Sequence, residues 1–330
     1  MGFIGCFHLA VGAVALLLAV GCGKSENKTL QVWGADALAA SLREMKSEFE
    51  KLHPDAHVAL NIHGSVLVTR LVPDREADVV ALADHRLVQK VLAPDTADWV
   101  AKFVSNEIVL AGHASSKRRA EITSDNWCEV LLKPDIQFGI ADPTQDPCGY
   151  WSRLVWHLAE KHEGTHSQRN VSPKGQQRPL VQQLIEKCPE KNIALDATRL
   201  ISDLLVPARV DYAFVYKTHA VDYKLPYTPL PKEINLGDPA HAGDYAAAEI
   251  SVPDYRGGRE TIKGTFIAFG LTIPKKARQP ELAREFVRFM LSQKGMDILK
   301  RSGFNPITPA RVPRWGPCPE FLGTLANPED

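Results

Sequence analysis

The chain has 330 residues, 45% of them apolar and 24% charged, with 39 basic and 39 acidic side chains and a formal net charge of zero. This is the composition of a globular protein, and it lacks the basic footprint of a nucleic-acid binder, so no nucleic-acid partner is expected. After the first segment no apolar run reaches transmembrane length.

Residues 8–20 hold an apolar run of signal-peptide length, followed by Ala19, Val20, Gly21 and Cys22 and then a polar tract. Small residues ending in a cysteine predict a lipoprotein signal over 1–22, with Cys22 lipidated and 23–29 as a tether. The leader carries no Lys or Arg, and a plain secretory signal is the alternative. Both readings export the mature chain, whose length suggests two domains. Cys128, Cys148, Cys188 and Cys318 follow. Export permits disulfides, four cysteines allow three pairings, and four free thiols are the other reading.

Strands then alternate with helices. Residues 29–34 read as a short strand, and Leu38, Leu42, Met45, Phe49 and Leu52 as one face of a helix ended by Pro54. Strands are predicted at 57–62, at 77–83 (nearly all apolar, so buried), at 106–111, at 211–216 and at 264–273. Leu282, Phe286, Phe289 and Met290 mark a late helical face, and the Pro-rich stretch 306–319 reads as an extended tail on the first lobe. The pattern is α/β.

Residues 138–150 carry most information: a strand, a proline-broken loop and a helix start running on through Trp151 to Glu160. A helix start offers unpaired N–H groups and the positive end of the dipole, and Gly149 lets a ligand approach the backbone. Asp146 puts a carboxylate where an anion would sit, which suits a ligand with an electrophilic centre. An ordinary capped helix is the plain alternative. Turn residues at 34–37, Gly64 with Ser65, and 146–149 are three loops placed to form one site between two lobes.

The ordered blocks 48–55, 64–66, 77–84, 105–111, 124–127, Asp-Pro-Cys-Gly-Tyr at 146–150, 211–217, 230–236 and 271–275 resemble the archaeal-type periplasmic tungstate/molybdate-binding proteins, the solute-binding lipoproteins of ABC importers. The resemblance covers most of the mature chain. It implies a type II periplasmic-binding-protein fold, two α/β lobes joined by two crossover strands near 107–111 and 265–273. Lobe 1 would comprise 30–107 and 270–330, and lobe 2 would comprise 108–269. It also implies a tungstate or molybdate ligand, no cofactor, an ABC permease as partner, a lipid anchor at Cys22 and a monomer.

The same resemblance implies a site. The family presents Gly-Ser after its first strand; here Asp36 and Ala37 stand there, so the hydroxyl is lost and the Ala37 N–H remains. The second serine is Ser65. The carboxylate that approaches the metal centre of the oxyanion is Asp146, in one motif with Gly149 and Tyr150, and the later tyrosine is Tyr216. The family's second such carboxylate matches Arg199 or Leu200, with Asp196 near enough to substitute. Arg199 would meet an oxyanion with fork-like hydrogen bonds, while Asp36 adds negative charge.

Other classes were weighed. A sulfate, phosphate or phosphonate binder would share the fold but need a proton on the facing carboxylate. A sensor module would call for a partner domain, and none is visible in the sequence. For an enzyme, no nucleophile elbow, P-loop or dinucleotide fingerprint is present. His162 and His166 are four apart, but in a polar stretch that reads as a solvated loop. Trp127, Trp151 and Trp156 read as packing, Asn106 and Glu107 as hinge hydrogen bonding, and Glu233 as structural.

Overall fold

The computed structural model describes residues 1–2, 28–164, 178–253 and 258–329. Residues 3–27, with Cys22 and most of the expected signal segment, and His166 lie outside them. Two sheets carry the fold. The larger runs, from edge to edge, Ala326–Pro328, Asn305–Val312, Ala101–Asn106, Ile267–Thr272, Val79–Leu82, Lys28–Ala35 and Ala56–His63. The smaller runs Ile193–Ala194, Phe138–Ala141, Tyr212–Tyr216, Ile108–Gly112 and Tyr227–Pro229. The first is thus built from both ends of the described chain and the second from its middle.

Both sheets are mixed. Lys28–Ala35 pairs in parallel with Ala56–His63 and Val79–Leu82, whereas Ile267–Thr272 is antiparallel to both its neighbours. The apolar run expected at 77–83 is buried on both faces, as its composition requires. The strand expected from 106 to 111 is two strands. Ala101–Asn106 belongs to the first sheet and Ile108–Gly112 to the second, with the chain crossing at Glu107. The return strand Ile267–Thr272 lies wholly in the first sheet, so the division expected between 269 and 270 cuts through a strand. Residues 28 and 29, expected in the tether, already pair with Ala56 and His57.

The crossings are tied to each other. Ile108 N–H donates to Asn235 O (2.9 Å) and Ile267 N–H to Leu236 O (2.8 Å). Glu107 accepts from Lys217 and from Asn235, both at 2.8 Å, and Asn106 donates to Thr218 (2.9 Å). Few strands cross and their polar groups are satisfied locally, as a hinge requires.

Helices cover the sheets. In Ala39–Leu52 the side chains of Leu42, Met45 and Phe49 are buried, and Phe49 meets Phe286 of Pro280–Leu291 edge-on at 5.0 Å. Each such burial contributes about 1.5–3 kcal/mol. Leu52, expected on that face, is 60% exposed because the helix ends there. The helix at the informative loop is Pro147–Gly164. It extends through His162, which the sequence suggested was in a loop. Trp127, Trp151 and Trp156 are buried in the core.

Candidate functional site

The loops after Lys28–Ala35 and Phe138–Ala141 meet at the lobe boundary. Asp36, from the first lobe, is buried. Its Oδ1 accepts from the Ala37 N–H (2.9 Å). Its Oδ2 reaches the second lobe, accepting from the Thr198 N–H (3.1 Å) and hydroxyl (3.2 Å), with His219 Nε2 3.4 Å away. Asp146, from the second lobe, has no exposed surface. Pro147 opens the helix, where its missing N–H costs nothing. Asp146 caps it, with Oδ1 accepting from the Cys148 N–H (3.0 Å). The ordinary capping role therefore uses only one oxygen. The other accepts from the Ala197 N–H (2.9 Å). Two carboxylates from opposite lobes are thus seated on the consecutive amides of Ala197 and Thr198.

Their charges are not independent. Burial, then the Asp36 charge, push the Asp146 carboxyl well above the usual carboxylate range, and the amides of Cys148 and Ala197 only partly offset this. Burial also works against a charged Asp36, but His219 and the donors at Thr198 and Ala37 outweigh it and hold the group low. The boundary thus favours the neutral form at Asp146 more than at Asp36.

The remaining expected residues surround the pair. Ser65 is buried and its Oγ accepts from the Ala83 N–H (2.8 Å). A Cβ on Gly64 would lie 2.9 Å from Gln145 O and 3.4 Å from Asp146 Cβ, so the two lobes touch there. A Cβ on Gly149 would lie 2.3 Å from Ala141 O, which only glycine avoids. Tyr216 is buried with its hydroxyl unbonded. Burial raises that hydroxyl well above its ordinary range, and Cys148, Asp146, Tyr150 and Asp36 add to the effect, which places it among them.

Tyr150 sits in the motif but has a different partner. Its hydroxyl donates to Asp84 Oδ2 (2.8 Å) across the lobe boundary. Arg86 grips the same carboxylate through Nε (3.0 Å) and Nη2 (2.6 Å), and its guanidinium lies 4.7 Å from the centre of the Trp151 ring. Burial would raise Asp84, but Arg86 chiefly, then His85 and Tyr150, hold it well below the ordinary range. Arg70 adds bonds to Gln145 and to Thr144 O, each 3.1 Å. A cavity of ≈ 470 Å³ opens beside this group, lined by Asp84, Arg86 and Tyr150 but by none of Asp36, Asp146, Tyr216 and His219.

The residues expected near 199 face away from the carboxylate pair. The Arg199 side chain is 63% exposed and points to Asp203 (3.6 Å), on the far side of the turn from the Thr198 hydroxyl that faces the boundary. Leu200 is buried in the second lobe's core, and Asp196 caps its own helix at the Arg199 N–H (2.7 Å). The contacts there come from Ala197 and Thr198, which sequence reasoning missed. It also missed His219, whose position one helical turn beyond Tyr216, at the start of Lys217–Asp222, was the available signal. None of Cys128, Cys148, Cys188 and Cys318 is in a disulfide among the described residues, and the first three are buried. No helix among the described residues is long and apolar enough to cross a membrane.

The chain matches the family model described as bacterial extracellular solute-binding protein over residues 30–305. A solute-binding protein of Petrotoga mobilis is 34% identical over 84% of each chain. The molybdate/tungstate-binding protein WtpA of Pyrococcus abyssi is 32% identical, covering 97% of this chain and 98% of the relative. Among solved structures, the periplasmic molybdate-binding protein of Azotobacter vinelandii superposes with a TM-score of 0.56 at 15% identity, over 83% of this chain and 98% of that one. The sulfate-binding protein SubI of Mycobacterium tuberculosis gives 0.58 at 14% identity, over 85% and 87%. At such identities these two establish the fold, the type II arrangement of two α/β lobes.

Proposed function

The chain belongs to the bacterial extracellular solute-binding protein family, and on that premise we propose that it captures tungstate or molybdate between its lobes and delivers it to an ABC permease. Asp146 carries the reading. It is a fully buried carboxylate turned to the boundary, beside an unbonded tyrosine hydroxyl. A carboxylate repels a simple dianion, but it binds one whose metal centre accepts a further oxygen. Asp146 then approaches the metal, while Ser65, Tyr216, and the backbone at Ala37 and Gly149 form the wall. The relatives that bind molybdate and tungstate support the ligand class. Lipidation at Cys22 would hold the protein at the membrane, on its outer side.

Titration calorimetry with tungstate, molybdate and sulfate tests this. Micromolar or tighter binding of the first two is expected, and its absence would sink the assignment. The upward push that burial gives the Asp146 carboxyl favours a second reading, in which a protonated carboxyl donates to sulfate or phosphate. The pH dependence separates the two. Coordination through the carboxylate releases the proton, so affinity rises with pH. Donation from the acid needs the proton, so affinity falls with pH.

A further inference from the structure

We propose that His219 is a ligand-contacting residue of this site, donating a ring N–H to an oxygen of the bound oxyanion, with Asp36 of the facing lobe as its partner; the proposal rests on the oxyanion reading above. His219 is almost completely buried, yet neither ring nitrogen makes a hydrogen bond. Buried polar groups nearly always have a partner, and leaving one without costs about 1–3 kcal/mol. The Tyr216 hydroxyl is in the same condition. The two rings stack, 5.8 Å between centroids and 25° between planes. Unbonded buried groups on adjoining side chains point to one missing partner that serves both.

Charge supports the assignment. Asp36 and Asp146 are both buried at the boundary, and an arriving dianion would add to their negative charge. Among the largest influences on these two carboxylates, His219 is the cationisable side chain. The titratable groups facing its ring are Asp36, Asp196, Asp222 and Tyr216. The ring lies within ion-pair distance of Asp36 but is not aligned with it as a hydrogen bond. A small rotation lets one nitrogen face Asp36 and the other a ligand oxygen. Asp36, which adds a carboxylate to the first loop, is then matched by a donor from the opposite lobe.

The test is titration of molybdate into the wild-type protein, His219→Ala and His219→Gln, with the melting temperature of each empty protein measured alongside. Wild-type binding first establishes the oxyanion reading, so its failure is separable from failure of the His219 assignment. Loss of a hydrogen bond to a charged group predicts about ten- to hundredfold weaker binding for His219→Ala. His219→Gln keeps an N–H and should fall between. An affinity for His219→Ala within about twofold of wild type, with only the melting temperature lowered, assigns His219 to structure and overturns the proposal. If His219→Ala does not fold, the histidine ring-nitrogen NMR signals of the wild-type protein decide. Molybdate should shift the pair that vanishes in His219→Gln, and an unshifted pair overturns the proposal.

Discussion

Two groups of side chains cross the lobe boundary, and they differ in how completely they are satisfied. In the Tyr150–Asp84–Arg86 group every charge has an opposite and the hydroxyl has its acceptor. In the Asp36–Asp146 group two carboxylates crowd one boundary while the Tyr216 hydroxyl and the His219 ring nitrogens lack aligned hydrogen bonds. The first is complete as it stands and reads as a clasp that favours closure. The second is complete only with something more in it. Position in the motif does not separate them, since Asp146 and Tyr150 belong to the same five residues. The partner each finds in the opposite lobe does.

Substitutions can break or sharpen that contrast. Asp146→Ala should have the largest effect on function, weakening tungstate binding about a hundredfold or more, measured by calorimetry. Its melting temperature should fall as well, because the buried Cys148 and Ala197 amides lose their acceptor, though removing a carboxyl that burial disfavours offsets part of that cost. Unchanged affinity would remove Asp146 from the site. Gly149→Ala should act on the fold instead, lowering stability by about 1–3 kcal/mol in denaturant unfolding, because the new Cβ meets backbone oxygen and nitrogen at 2.3 and 2.6 Å.

Tyr150→Phe should cost about 1–2 kcal/mol by removing one bond to buried Asp84. If the clasp only closes the lobes, tungstate and molybdate weaken by the same factor, roughly 5–30. A change in their ratio would mean that Tyr150 touches the ligand. The smallest effect is expected at Asp222, beside His219, whose carboxyl is raised to about 6 chiefly by burial. A raised carboxyl contributes stability that is fullest at low pH and is lost as pH climbs from the ordinary carboxylate range through about 6. Asp222→Asn should flatten that slope and be the more stable protein at pH 7, by thermal melts across pH.

What the sequence made legible follows from what is local. The helical face at Leu42, Met45 and Phe49, the buried strand Val79–Leu82 and the strand–loop–helix around Asp146 are each contiguous patterns, and they were read correctly as elements. Ala101–Asn106 was not read, because Lys102, Ser105 and Asn106 mask a buried strand whose polar ends are satisfied only by distant partners, such as Glu329 for Lys102. Asn305–Val312 was hidden by Pro306 and Pro309, which read as an extended tail, yet it joins the first sheet near its edge, where proline is tolerated. The site divides the same way. Asp146 and Gly149 were legible within one motif. The contact of Asp36 with Thr198 spans 162 residues of sequence, and nothing local marks either residue for the other. Arg199 stands one position beyond Thr198, and on that turn its side chain goes to solvent.

A crystal structure of the wild-type protein with tungstate tests the central claim most directly. The account predicts tungsten at the lobe boundary with an Asp146 oxygen in its coordination sphere and the Tyr216 hydroxyl bonded to one of its oxygens. Tungstate bound elsewhere, or at the boundary with four oxygens and no carboxylate among its neighbours, would contradict it.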